Sequence, residues 1–246
     1  MTNWVTIYDC AQVVKSLGAS PVMAHALEEA AEMTGIASAL VLNIGTLTPD
    51  LVEAMKVAAA AANQRRIPVI LDACGAGATR LRDDKALELL HTVHIDILKG
   101  NASEIARVAG QNVRTRGVDA AEVQQALAPL ATELARQRKL TVVITGPVDV
   151  ISNSAEVCLV RNGHPLMRQV VGTGCMAASV IGAFAAVEPD HVRAAASALV
   201  CYGIAAELAA AKTDAPMAFK LQLLDSLYLL GRSDVETRQD LECQPL

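Results

Sequence analysis

Hydrophobic positions along this chain of 246 residues switch between two spacings. Short, mostly apolar runs at Ala39–Ile44, Ile67–Leu71, Ile95–Leu98 and Leu140–Thr145 read as strands buried on both faces, because a strand covered by helices on each side has no polar face to alternate with. Between them helical spacing predicts helices over 11–17, around 24–33, from Pro49 to about Asn63, over 83–91, from Asn101 onward and over 120–137. A Gly18-Ala-Ser-Pro21 turn divides the first two. Val148–Ser152 and Glu156–Val160 read as short antiparallel strands. From Gly174 to about Leu230 there is no strand pattern, and breaks near Glu188-Pro189 and Thr213–Pro216 leave three helices. This alternation predicts an α/β fold with a mainly parallel sheet between helices. No linker or internal repeat interrupts it, so one domain is expected over 1–246, with a polar tail from about residue 232 that frays.

Composition narrows the function classes. With 26 acidic against 21 basic side chains, the net charge is −5, which lacks the basic footprint of nucleic-acid binding. Aromatic residues make up only 2%, which disfavours base stacking. The mean hydropathy of +0.34 raises the question of a membrane span. The longest apolar stretch, Gly174–Val187, is shorter than the roughly 20 residues a span needs, so it predicts a buried helix and no membrane partner. The first ten residues lack the pattern of a signal peptide, and the six cysteines (10, 74, 158, 175, 201 and 243) include no CxxC. A reducing cytoplasm is the expected setting.

In an open parallel sheet, ligands bind beyond the carboxyl ends of the strands. Four unusual segments follow apolar runs: Asn43-Ile-Gly-Thr46, Asp72 through Thr79, Lys99-Gly-Asn-Ala-Ser-Glu104, and Thr145-Gly-Pro-Val-Asp149. Val171-Gly-Thr-Gly-Cys175 opens a helix with two glycines, a turn whose bare N–H groups and positive dipole end favour phosphate. Cys175 at that helix start is a candidate base, with packing as the alternative. Asp72 and Glu104 are the candidate Mg²⁺ carboxylates, although Asn101-Ala-Ser-Glu104 also has the spacing of a capping box. His91 and His94 have no third ligand near them in sequence and do not make a metal site. Val52, Met55 and Ala59 form a core stripe, while Met23, just after a turn, suits either a ligand pocket or the core.

Thr2-Asn-Trp-Val-Thr6, Gly18-Ala-Ser-Pro-Val-Met23, Leu42-Asn-Ile-Gly-Thr-Leu47, Leu71-Asp72 with Gly75-Ala-Gly-Ala-Thr79, Gly100-Asn-Ala-Ser-Glu-Ile105, Gly117-Val-Asp119, Thr145-Gly146 with Asp149, and Val171-Gly-Thr-Gly-Cys175 occur in this order over nearly the whole chain. Together they resemble the hydroxyethylthiazole kinases. The resemblance implies a ribokinase-like three-layer fold, a homotrimer with sites between subunits, and Mg²⁺- and ATP-dependent phosphorylation of 4-methyl-5-(2-hydroxyethyl)thiazole in thiamine salvage. It further implies Cys175 as the base, Met23, Gly172 and Asn3 on the substrate side, Lys99, Thr145 and Gly174 on the ATP side, and Asp72 and Glu104 beside the metal. The chain departs from the family pattern in four ways. Lys99 replaces an Arg, Asp72-Ala-Cys74 replaces Asp-Pro-Val, Gln12 replaces an Asn, and the sequence starts at Met1 where the family pattern leads one to expect a helix and a strand before Thr-Asn. Lys99 and the start of the chain leave open a weakened homologue that binds thiazole or nucleotide, whereas a kinase of another small alcohol such as a hydroxymethylpyrimidine is disfavoured by Cys175 and Gly18-Ala-Ser-Pro-Val-Met23.

Overall fold

The computed structural model describes the backbone of residues 1–111 and 120–246 and the side chains of 1–111 and 127–246. The Gly117-Val-Asp119 match lies outside the described residues. Seven strands form one sheet in chain order: β1 (Leu40–Asn43), β2 (Val69–Asp72), β3 (Ile97–Asn101), β4 (Thr141–Thr145), β5 (Asp149–Ser152), β6 (Glu156–Val160) and β7 (Leu241–Pro245). The first four run parallel, and β4 to β7 pair antiparallel.

Helices cover both faces. On one side lie α2 (Leu27–Gly35), α3 (Pro49–Arg65), α4 (Arg80–Thr92), α5 (Ala102–Val108) and α6 (Ala120–Arg138), packed over Leu42, Leu71, Leu98, Val142 and Ile144. On the other lie α1 (Ile7–Ser16), α7 (Thr173–Ala185), α8 (His191–Ala210) and α9 (Pro216–Leu229), packed over Val41, Ile70, Ile97 and Val143. Successive strand residues face opposite layers, so each apolar run feeds two cores at once. By length and composition α8 could cross a membrane, but 72% of its most apolar window is buried inside this fold.

Most boundaries differ from the expected ones by a few residues, and capping explains several. Thr79 caps α4 by accepting from the Arg82 amide at 3.4 Å, which starts that helix at Arg80. Ala26 is extended, so α2 starts at Leu27. The tail corrects the expectation of fraying. Residues Arg232–Arg238 form α10, and β7 then adds to the free edge of β6, with a disulfide joining the paired Cys158 and Cys243. All five residues of β7 are exposed, so its sequence carries no burial signal.

Candidate active site

The period of two that builds the cores also builds the site. Val41, Ile70 and Ile97 face the α7 layer, so two residues further on Asn43, Asp72 and Lys99 face it too. Strand register sets the three side by side, Asn43 opposite Asp72 and Asp72 opposite Lys99. They form a polar row at the carboxyl ends of β1 to β3, directly beneath the start of α7.

Hydrogen bonds close this row into a ring. Lys99 Nζ donates to Asp72 Oδ1 at 3.3 Å and to the Gly174 carbonyl at 3.0 Å. Asn43 Nδ2 donates to Asp72 Oδ2 at 2.7 Å. Asn3 Nδ2 donates to Asn43 Oδ1 at 3.0 Å and to Cys175 Sγ at 3.2 Å. The Asn3 amide has only one workable orientation, because its Oδ1 already accepts from the Val5 and Thr6 amides and the Thr6 hydroxyl, each at 3.1 Å. Its N–H groups must therefore point at Asn43 and Cys175, which leaves the sulfur as acceptor.

The electrostatics follow from that enclosure. A hydrogen bond from Cys74 lowers the Cys175 thiol to about 5 against the opposing effect of burial, with Thr6, Lys99 and Asn43 adding to the lowering. Cys74 is correspondingly pushed up, first by that bond and then by burial. Burial raises the Asp72 carboxyl to about 7 although Lys99 opposes it. For Lys99 burial works against the ammonium, but Asp72, Glu104 and the two thiols outweigh it and keep the charge.

Gly172 caps α7 at φ +95°, and a Cβ there would lie 2.5 Å from Thr6 Cγ2. With no side chain to cap the helix, the first N–H groups of α7 are left for an anion. A second feature flanks this mouth. A cavity of about 580 Å³ is lined by Gly75, Gly77, Glu104 and Arg107 among others. Its glycine loop is held by two carboxylates, Glu104 accepting from the Gly75 amide at 2.7 Å and Asp83 from the Gly77 amide at 2.6 Å. Glu104 also accepts from the Asn101 amide at 2.7 Å, which is the capping box of α5. Thr145 ends β4 opposite Asn101 and donates to the Gly100 carbonyl at 3.4 Å. Nearby, burial raises Asp149 to about 7 while its Oδ1 accepts from the Gly146 amide at 2.9 Å.

The structure thus brings together Cys175, Gly172, Gly174, Asn3, Asp72 and Lys99, with Glu104 and Thr145 on the adjoining rim. Asn3 and Lys99 differ from expectation in where they point. Asn3 is 3% exposed with its amide committed within the protein, and Lys99 is 4% exposed and turned into the ion pair rather than toward the cavity. Met23 is half-exposed in the irregular segment before α2, which His25 ties to the N-terminus by donating to the Thr2 carbonyl at 3.0 Å. Sequence reasoning missed the ring role of Asn43, Cys74 as neighbour to Cys175, and Arg82. The Arg82 guanidinium binds the carbonyls of Ile44, Gly45 and Cys74 and so joins the ends of β1 and β2. Only Asn43 had a signal, its place at a strand end.

The residues fit Mg²⁺ in part. Among the described residues no group of three or more His, Cys, Asp or Glu could hold a metal ion. Glu104 faces the cavity, and one or two carboxylates beside substrate phosphates are what Mg²⁺ uses. Asp72 is fully enclosed, with both oxygens engaged by Lys99 and Asn43.

The model of the hydroxyethylthiazole kinase family matches residues 1–233. A hydroxyethylthiazole kinase of Methanosarcina mazei is 51% identical over 242 residues, covering 98% of this chain and 93% of that protein. The structure of a hydroxyethylthiazole kinase protein from Pyrococcus horikoshii OT3 is 39% identical with a TM-score of 0.91, over 99% of this chain and 91% of that one. A ribokinase-like superfamily protein from Enterococcus faecalis V583, 18% identical with a TM-score of 0.60 over 89% of this chain and 80% of its own, shares the fold. The chain therefore belongs to the hydroxyethylthiazole kinase family, enzymes of ribokinase-like fold.

Proposed function

We propose that this chain transfers the γ-phosphoryl group of ATP to the hydroxyl of 4-methyl-5-(2-hydroxyethyl)thiazole, in thiamine salvage, with Cys175 as the base. One observation carries the residue assignment: the Asn3 amide, fixed by three donors to its oxygen, points an N–H at Cys175 Sγ and holds that sulfur as an acceptor at the mouth of α7. The thiolate takes the proton of the hydroxyl as its oxygen attacks phosphorus. The uncapped N–H groups of the Gly172–Cys175 turn stabilise the charge that develops on the phosphoryl oxygens.

Met23 and Gly172 contact the thiazole, while Thr145 and Gly174 lie on the nucleotide side. Lys99 supports that side from beneath as a buried positive charge under the Gly174 carbonyl. When bound, Mg²⁺ neutralises phosphate charge, and Glu104 at the cavity edge would hold it. Asp72 instead supplies the counter-charge of Lys99.

The working form in this reading is a cytoplasmic homotrimer with its sites at subunit interfaces, without nucleic-acid or membrane partners. Trp4, Val5, Tyr8, Val171, Met217, Leu221 and Tyr228 are exposed. Helices α1 and α9, which carry Tyr8, Met217, Leu221 and Tyr228, pack on each other beside the Gly172 turn. Exposed apolar side chains on neighbouring elements are what a subunit interface covers. Light scattering at micromolar concentration gives a trimer mass in this account, and a monomer mass refutes it.

Mutation tests the base. Cys175→Ala keeps the backbone donors and should lower turnover about 10²- to 10⁴-fold, with ATP binding little changed. Cys175→Asp, an ionised carboxylate at the same helix start, should recover activity above the Ala variant. Wild-type turnover in Cys175→Ala would remove the thiol from the mechanism. The inward turn of Lys99 favours one other reading, a homologue that binds without efficient turnover, which a binding titration beside a turnover assay separates.

A further inference from the structure

Asp9 and Lys220 take no part in the mechanism above, although they stand beside its anion site. Asp9 lies in the first turn of α1 and is 8% exposed. Its Oδ2 is 3.9 Å from the point that a Gly172 Cβ would occupy, which sets a buried carboxylate against the turn that opens α7. An anion there works against the site, because it competes with a phosphoryl group for the same positive helix end. Lys220 answers that charge from α9. Its Nζ donates to Asp9 Oδ2 at 2.6 Å, the one ion pair that Asp9 makes among the described residues. The neighbouring ionisable groups bring no charge: Tyr202 on α8 donates its hydroxyl to the Thr173 carbonyl at 3.2 Å, and burial holds both Tyr202 and Cys10 protonated. The packing of α1 against both α7 and α9 brings carboxylate, ammonium and turn together.

We propose that Lys220 is a positioning residue for phosphoryl transfer: it neutralises Asp9 and so keeps the Gly172 turn open to an anionic group. The inference rests on the reading of that turn as the phosphoryl site. A pair that merely ties α1 to α9 has a different signature. In that case losing either partner harms the protein alike, and losing both restores nothing. A lysine that cancels a charge is needed only while Asp9 is present, and its loss falls on phosphate-bearing ligands rather than neutral ones. One uncompensated unit charge this close to the turn weakens a phosphate about tenfold at a dielectric between those of water and the protein interior.

The test titrates the hydroxyethylthiazole and its phosphate, ligands that differ only in the phosphoryl group, into the wild-type protein, Lys220→Met, Asp9→Asn and the double variant. Lys220→Met should bind the phosphate about tenfold more weakly and the alcohol as before. Asp9→Asn should bind the phosphate as tightly as the wild type or more tightly, and adding it to Lys220→Met should restore the affinity. These last two proteins decide the matter even if Lys220→Met alone fails to fold. Equal loss for alcohol and phosphate in Lys220→Met, weaker phosphate binding in Asp9→Asn, or no recovery in the double variant overturns the proposal. If the wild-type protein binds neither ligand, the substrate reading fails and the same four proteins are titrated with Mg-ATP. The same order of affinities then upholds the role of Lys220, and equal affinities overturn it.

Discussion

Replacing Lys99 by methionine tests how the site's charges are held. The substitution removes the ammonium 3.3 Å from Asp72 Oδ1 and leaves that carboxylate, which has no exposed surface, with Asn43 as its remaining polar partner. Breaking a buried pair from one side costs about 3–5 kcal/mol. For a chain of this length, that is a fall of roughly 10 °C in melting temperature. The loss depends on pH. The folded-state Asp72 sits at about 7 even beside Lys99 and rises further without it, whereas an unfolded Asp titrates near ~3.9. Between those values the folded protein binds the extra proton, so stability falls as pH rises through this window. Thermal melts followed by circular dichroism at one protein concentration should show a larger loss at pH 8 than at pH 6. Adding Asp72→Asn to Lys99→Met should recover more than half of it. Equal losses at the two pH values, or no recovery in the double variant, would refute the reasoning.

Other consequences are as direct. The lowered Cys175 thiol predicts that kcat/KM is flat through neutrality and falls about tenfold per pH unit below about 5. Asn3→Asp, which sets an anion against the sulfur, should move that limb upward; a wild-type limb near ~8.5, where an ordinary thiol titrates, contradicts the assignment. Gly172→Ala forces a Cβ onto Thr6 at a left-handed φ and should cost about 1–3 kcal/mol in urea unfolding together with turnover; wild-type turnover would show that the turn is not strained. Cys243→Ser opens a bridge spanning 85 residues and should lower stability by up to about 4 kcal/mol with kcat unchanged; an unchanged denaturation midpoint would show that the β7 ladder alone holds the tail.

The layers were legible because Val41-Leu42, Ile70-Leu71 and Ile97-Leu98 are apolar on both faces, a demand only a helix-covered sheet makes. The rim was legible for the same reason, since polar residues that end such runs must sit where the sheet opens to solvent. The direction of each polar side chain could not be read locally. Lys99 looks from sequence like a phosphate contact, and only the pairing of β2 with β3 shows that it faces Asp72. The bond from Lys99 to the Gly174 carbonyl likewise depends on α7 packing over the sheet, across 75 residues of chain. β7 was invisible because it is an edge strand with no buried side and a partner strand 85 residues away at the Cys158–Cys243 pair, so neither burial nor turn chemistry marks it.

The most direct test of the central claim is ADP release by the purified protein with Mg-ATP and each of three alcohols: the hydroxyethylthiazole, a hydroxymethylpyrimidine and a sugar. The account predicts turnover that requires Mg²⁺ and the thiazole, with far less from the other two. Equal turnover of all three, or none with the thiazole, would contradict it.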